Sequence, residues 1–278
     1  MFVKKVRKVN HIALAKFNEK DTLKKIKGEV FGEEIVQAFF ETKSQNHSQD
    51  LKSIFNDLEG FRKELLALNT KIDYSLFEPN LEQEVGTICK KASSPQNWCE
   101  FFFLVSHYIN AKKILEIGTN LGVSGQYYLK SLMLNSKTDN DINLTTIEGI
   151  QGLCDIAETR FKSITPNHDN FNIICGLYDD VLPAIIETDT KFDLIFIDGN
   201  HTYDATLRYY KMLLSNVSEK AIIIFDDINW SPEMIKVWQE IKKTDYSYSI
   251  DFFKLGLIII DKTQTGKTPN DYNLFVSL

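Results

Sequence analysis

A chain of 278 residues with 43% hydrophobic content can bury one α/β domain and still carry a substantial extension. Its formal charge of −6 argues against a nucleic-acid partner, which would need a basic surplus. No apolar run approaches the ~18 residues of a membrane span, and the four cysteines, Cys89, Cys99, Cys154 and Cys175, lack Cys-x-x-Cys spacing, so the composition predicts a soluble protein of the reducing cytoplasm.

Read in chain order, the basic cluster Lys4, Lys5, Arg7 and Lys8 is followed by no apolar signal core, and it reads as a solvated helix face rather than a targeting peptide. Residues 1–92 form a helical N-terminal extension with few strand signals, broken by the polar stretch from Glu41 to Asp50. After that break Leu51, Ile54, Phe55, Leu58, Phe61 and Leu65 recur at three-and-four spacing, which is a buried helix stripe. Ser94-Pro95 starts another helix, and Trp98, Phe101, Phe102, Val105 and Ile109 lie along it. From Lys113 the rhythm changes to short apolar runs alternating with helical segments, the pattern of a parallel sheet covered by helices. The runs are 114–117, 144–147, 171–175, 192–197 and 221–225, with a polar surface loop at 135–143. Two further runs, 246–253 and 255–260, stand too close together for a crossover helix and predict an antiparallel hairpin, after which the tail is irregular.

The most informative stretch is Ile114-Leu115-Glu116-Ile117-Gly118-Thr119-Asn120-Leu121-Gly122, an apolar strand that ends in an acid and two glycines. Such a strand-to-helix turn lets the backbone approach a ligand closely and offers helix N-terminal amides. A dinucleotide site would want Gly-x-Gly-x-x-Gly. Here Glu116 stands two residues before Gly118, which suits a cationic ligand such as S-adenosylmethionine (SAM). One βαβ unit later Glu148, followed by Gly149, ends the next apolar run, where an acid accepts hydrogen bonds from ribose hydroxyls.

Together with Phe196-Ile197-Asp198-Gly199-Asn200-His201 and Ile224-Phe225-Asp226-Asp227, these segments resemble the class I SAM-dependent methyltransferases over about residues 93 to 260, within them the O-methyltransferase-like group with an Asp-Gly-x-His segment after the fourth strand. The turn Val217-Ser218-Glu219-Lys220 departs from the group's Pro-Gly-Gly-like pattern. The resemblance implies a Rossmann-like, seven-stranded, mostly parallel sheet in the order 3-2-1-4-5-7-6, with domain limits of 93–262 and a tail at 263–278. It implies a donor site built from Glu116, Gly118, Thr119, Asn120, Gly122, Ser124, Glu148, Gly149, Gly176, Leu177 and Asp198. Asp179 or Asp180 either touches the adenine amine or starts a helix.

In that fold Asp198, Asp226 and Asp227 converge. Two such charges about 4 Å apart repel by about 4 kcal/mol at an effective dielectric of about 20, so a cation or a proton must join them. Magnesium or another divalent ion is the expected occupant, binding the acceptor hydroxyl; the alternative is that the aspartates hold turns and caps. His201, three residues beyond Asp198, is the expected general base, with Asp198 as its catalytic partner; otherwise it serves only the turn. His11, His47, His107 and His168 have no acidic or cysteine partner at ligand spacing and take surface or core roles. Trp230, Tyr178 and Tyr203 flank the site as a possible aromatic wall for substrate.

The predicted activity is transfer of a methyl group from SAM to a small-molecule acceptor, with oxygen the favoured nucleophile. An NAD-linked enzyme and a SAM-binding interaction module on the same fold are the alternatives. The extension at 1–92 serves as a lid or as a homodimer contact.

Overall fold

The computed structural model describes residues 2–136, 141–264, 266 and 268–276, with side chains from Lys4 onward. Residues 137–140 of the expected surface loop, and part of the expected tail, lie outside the described residues. The chain opens on three helices, α1 (Phe2–Ile26), α2 (Gly32–Ser44) and α3 (Gln49–Leu66). Ser48 caps α3 by accepting the Leu51 amide at 3.2 Å, and the expected stripe turns inward, with Phe55, Leu58 and Leu65 buried.

Two short strands follow that the extension was not expected to hold, β1 (Lys71–Asp73) and β2 (Glu82–Glu84), paired antiparallel. Three polar-rich residues apiece, of which only Ile72 is buried, give too little alternation to be read as strands. The chain continues through α4 (Val85–Ala92), α5 (Gln96–Tyr108), β3 (Lys113–Ile117), α6 (Val123–Asn135), β4 (Asn143–Glu148), α7 (Gln151–Ile164), β5 (Phe171–Cys175) and α8 (Tyr178–Ile186). It ends with β6 (Phe192–Ile197), α9 (Tyr203–Leu213), β7 (Val217–Phe225), α10 (Pro232–Ile241), β8 (Tyr248–Asp251), β9 (Gly256–Asp261) and β10 (Asn270–Asn273).

By packing, the chain divides into two units, Ser44–Pro183 and a second made of Met1–Lys43 with Ala184–Leu278. In the first, the strands lie in the order β5-β4-β3, all parallel, which is the expected 3-2-1. Leu144 to Glu148 of β4 are all buried, so the strand reads as a continuous apolar run rather than an alternation. α5 is buried over its length from Trp98 to Ser106, and Phe102 stacks on Tyr128 of α6 with ring centroids 5.6 Å apart. Within α5 the buried Glu100 accepts hydrogen bonds from Gln45 at 2.9 Å and Gln96 at 2.8 Å. His47 lies 3.2 Å from the same carboxylate, so this histidine has an acidic partner that sequence spacing did not reveal.

In the second unit the order is β6-β7-β9-β8-β10. β6 and β7 are parallel, β9 runs antiparallel to both β7 and β8, and the predicted hairpin and the 4-5-7-6 order are both present. β10 is an addition to that order. It pairs parallel with β8 inside a tail expected to be irregular. Its sequence, Asn-Asp-Tyr-Asn, buries only Tyr272, which explains why no strand signal was visible. Asp271 fixes it in place by accepting from Tyr246 at 2.9 Å and Ser249 at 2.5 Å.

Candidate functional site

The first unit carries the expected donor loop at the carboxyl ends of β3, β4 and β5. Gly118 and Gly122 adopt φ of 106° and 77°, the left-handed region that glycine occupies without strain. Gly122 is also the residue before α6, and a Cβ there would stand 2.9 Å from the Ala157 Cβ on α7. Gly122→Ala therefore combines backbone strain with a clash, and we expect about 2 kcal/mol or more of lost stability, read as a lower urea midpoint at unchanged slope.

Glu116, the acid expected to meet the ligand, is fully buried. Its two oxygens accept from Ser124 Oγ at 2.5 Å and Thr146 Oγ1 at 2.7 Å, and Thr119 bonds Thr146 in turn at 2.5 Å. The carboxylate, with Ser124 and Thr119, thus braces the loop from beneath. Gly125 makes room for it, since a Cβ at that position would lie 2.8 Å from Glu116 Oε2. Sequence reading missed Gly125 because an isolated glycine inside a helix carries no spacing signal.

Glu148 ends β4 with one oxygen accepting the Asn120 amide at 2.9 Å and the other the Ile150 amide at 3.0 Å. Burial pushes this carboxyl's pKa up, against the pull of the backbone amides of Ile150, Asn120 and Gly149. Each oxygen retains a lone pair, so the group can take two ribose hydroxyls while the backbone holds it still. Glu148→Ala removes both the acceptor and the brace, and we expect S-adenosylhomocysteine to bind at least tenfold more weakly by calorimetry.

Gly176 donates its amide to the Glu148 carbonyl at 2.8 Å, which sets the β5 turn beside β4. Leu177 is half exposed, and with Leu76 and Phe77 from the β1–β2 loop it lies 3.4–3.8 Å from where a Gly149 Cβ would sit. Tyr74 of the same loop is near enough to Glu148 that burial and that charge push its phenol up to about 12. Three exposed apolar side chains thus gather beside Glu148, and Leu76 and Phe77 come from the segment read as helical with few strand signals. Asp179 and Asp180 lie in the first turn of α8, the helix-starting role.

The second unit carries the expected chemistry-bearing acids at the ends of β6 and β7. Asn200 and His201 take positive φ of 64° and 33°, a sharp turn that brings His201 Nε2 within 3.4 Å of Asp198 Oδ1. Burial works to lower the His201 pKa, but the hydrogen bond and charge of Asp198, with the fields of Asp227 and Asp226, outweigh it and hold it above 6.5. Burial and the neighbouring Asp198 push the Asp226 carboxyl up to about 7.

The cation that this cluster requires is a side chain. Lys254, in the turn between β8 and β9, places Nζ 2.6 and 2.7 Å from the two Asp226 oxygens and 3.1 Å from Asp227 Oδ1. Burial tends to lower the Lys254 pKa, yet Asp226 and Asp227 raise it above 10.5, so the ammonium stays charged. A divalent ion expected on Asp198, Asp226 and Asp227 would have to displace this ammonium, and Asp198 already engages His201. Among the described residues no group of three or more His, Cys, Asp or Glu is arranged to hold a metal. The donor set does not fit the expected ion. Of the expected aromatic wall, Trp230 is 62% exposed beside this cluster, and Tyr203 lies under Lys236 at 4.5 Å.

Comparison with known proteins agrees with this layout. The methyltransferase-domain family matches residues 115–228, a stretch that includes both the Gly118–Gly122 loop and the Asp226–Asp227 pair. A probable caffeoyl-CoA O-methyltransferase of Dictyostelium discoideum is 26% identical over 66% of this chain and 63% of its own length. An uncharacterized protein of Acanthamoeba polyphaga mimivirus is 29% identical over 48% of this chain and 62% of its own. The chain thus spans just under two thirds of the length of these curated relatives. Among solved structures, an O-methyltransferase from Bacillus cereus in complex with SAH superimposes with a TM-score of 0.52 at 20% identity, covering 62% of this chain and 84% of that one. No helix among the described residues is long and apolar enough to cross a membrane. With glycine loop, strand-end acids and strand order in place, residues 115–228 are similar to the methyltransferase-domain family, and the fold is like that of the solved O-methyltransferase.

Proposed function

We propose that the chain transfers a methyl group from SAM to a hydroxyl oxygen of a small-molecule acceptor. The observation that carries the oxygen assignment is the His201–Asp198 pair, a base aligned by a carboxylate at 3.4 Å. The residues of the donor loop fit SAM: a carboxylate anchored for ribose at Glu148, and apolar side chains of Leu76, Phe77 and Leu177 for the adenine. When bound, SAM supplies an electrophilic methyl on a sulfonium.

The chain's own residues do the remainder. Because Nε2 of His201 faces Asp198, that nitrogen carries the proton and donates it to the carboxylate, which leaves the Nδ1 lone pair to take the acceptor hydroxyl proton. Asp198 then stabilises the imidazolium. A base with a raised pKa is the stronger one, which suits a phenolic or sugar hydroxyl that holds its proton near neutral pH. Lys254 keeps Asp226 and Asp227 from opposing the oxyanion that results, and it spares the reaction a divalent ion. No step runs through a metal.

Incubating the chain with SAM and a panel of phenols, catechols and sugars tests the reading. Formation of S-adenosylhomocysteine with a matched methyl ether supports it. A chain that binds SAM but forms no S-adenosylhomocysteine with any oxygen acceptor is a binding module, and one that binds NAD in preference to SAM is a different enzyme.

A further inference from the structure

Beside the acid cluster lies a cavity of about 360 Å³ whose walls come entirely from the second unit. α1 contributes Lys4, Lys5 and Lys8 to it, Trp230 and Phe253 give it apolar surface, and Asp227 and Lys254 stand at its margin. Lys254 is committed to Asp226 and Asp227. Lys4 lies over the Trp230 ring at 4.7 Å and donates to the Trp230 carbonyl at 3.4 Å. Among the described residues no carboxylate pairs with Lys4, Lys5 or Lys8. The cavity therefore joins an aromatic slab that is largely open to solvent with a group of unneutralised ammonium groups, in a chain whose formal charge is −6. A positive patch attracts anions, and the indole face that Lys4 leaves uncovered favours stacking.

We infer that this cavity is the acceptor site and that it selects an aromatic hydroxyl compound carrying an anionic group, carboxylate or phosphate ester, with the ring on Trp230 and the anion on Lys5 and Lys8. The inference rests on the methyl-acceptor reading above, since the Asp227–Lys254 margin is what places a hydroxyl beside the acid cluster. The basic run near the start of the sequence thereby becomes a specificity element rather than a merely solvated face. Lys5 and Lys8 are both exposed, so exchanging them leaves the core intact.

Isothermal titration of the full chain with a charge series tests it: 3,4-dihydroxybenzoate, catechol and dopamine, with phenyl phosphate as the phosphate arm. The expected result is that 3,4-dihydroxybenzoate binds at least tenfold more tightly than catechol, that dopamine binds more weakly than catechol, and that the preference shrinks as salt is added. Phenyl phosphate binding more tightly than 3,4-dihydroxybenzoate marks the anion as a phosphate, and the reverse marks it as a carboxylate. Lys5→Glu with Lys8→Glu should erase the preference, and Lys5→Arg with Lys8→Arg should keep it. Equal affinity across the series, an unchanged preference in the glutamate variant, or no binding by any probe overturns the inference. Because binding is read without turnover, the two readings fail separately: a chain that selects the anion yet methylates nothing loses the enzymatic reading alone, and one that methylates catechols regardless of charge loses only this one.

Discussion

Lys254→Met is expected to destabilise the protein by about 3 kcal/mol at pH 8, the lower end of what removing one partner of a buried ion pair costs, because the Lys254 side chain is 24% exposed while that of Asp226 is only 6% exposed. The loss should shrink at pH 5. Asp226 has a folded pKa raised to about 7, so between the ordinary carboxylate range and pH 7 the folded chain holds a proton that the unfolded chain has released. Its stability contribution is therefore present at low pH and lost as pH rises through about 7. Without Lys254 the folded pKa climbs further, and the window of loss extends to higher pH. Urea unfolding of both proteins at the two pH values measures this. An equal loss at both would mean that Lys254 acts by packing rather than by charge. The same cluster predicts that EDTA leaves wild-type turnover unchanged; stimulation by magnesium would show that the ammonium gives way to an ion.

His201→Ala should lower turnover by about 10²- to 10⁴-fold, the usual contribution of a positioned general base, while calorimetry shows S-adenosylhomocysteine affinity nearly unchanged. The pH profile separates chemistry from structure. A base must be unprotonated to act, and the His201 pKa is raised above 6.5, so the acidic limb of kcat/KM should lie above that value. Asp198→Asn removes the hydrogen-bonded charge that raises it, and the limb should then move to lower pH. A limb that stays put in that variant would assign the titration to another group, with Asp226 the nearest alternative.

The parts of this protein that sequence reading reached are those with a local physical signature. Gly118 and Gly122 are legible because glycine takes their φ without strain, and Glu148 and Asp198 because a polar residue closes an apolar run. The direction in which Glu116 points was not legible. In a parallel strand buried on both faces there is no alternation to reveal which side a residue occupies, and only the structure shows that it braces the loop through Ser124 and Thr146. Lys254 was invisible for another reason. It reaches Asp226 from a turn 28 residues further along the chain, and one lysine among 32 basic residues carries no spacing pattern. Repulsion among the aspartates called for a cation or a proton, and the side chain that supplies the ammonium lay beyond the reach of spacing rules. Leu76 and Phe77 were hidden by the brevity of β1 and β2, whose polar residues give the alternation rule nothing to work on.

The late strand β10 bears on how the protein should be handled. It covers the outer rim of β8, where Tyr248 and Ile250 are buried and the backbone is otherwise ready to pair with another chain. A shortened version ending before Asn270 would bare that rim along four residues of hydrogen-bonding backbone. Such a product would keep all of residues 115–228 and still be prone to associate edge to edge into insoluble material. Trimming this end for crystallisation would thus trade a small gain in compactness for a protein that clumps.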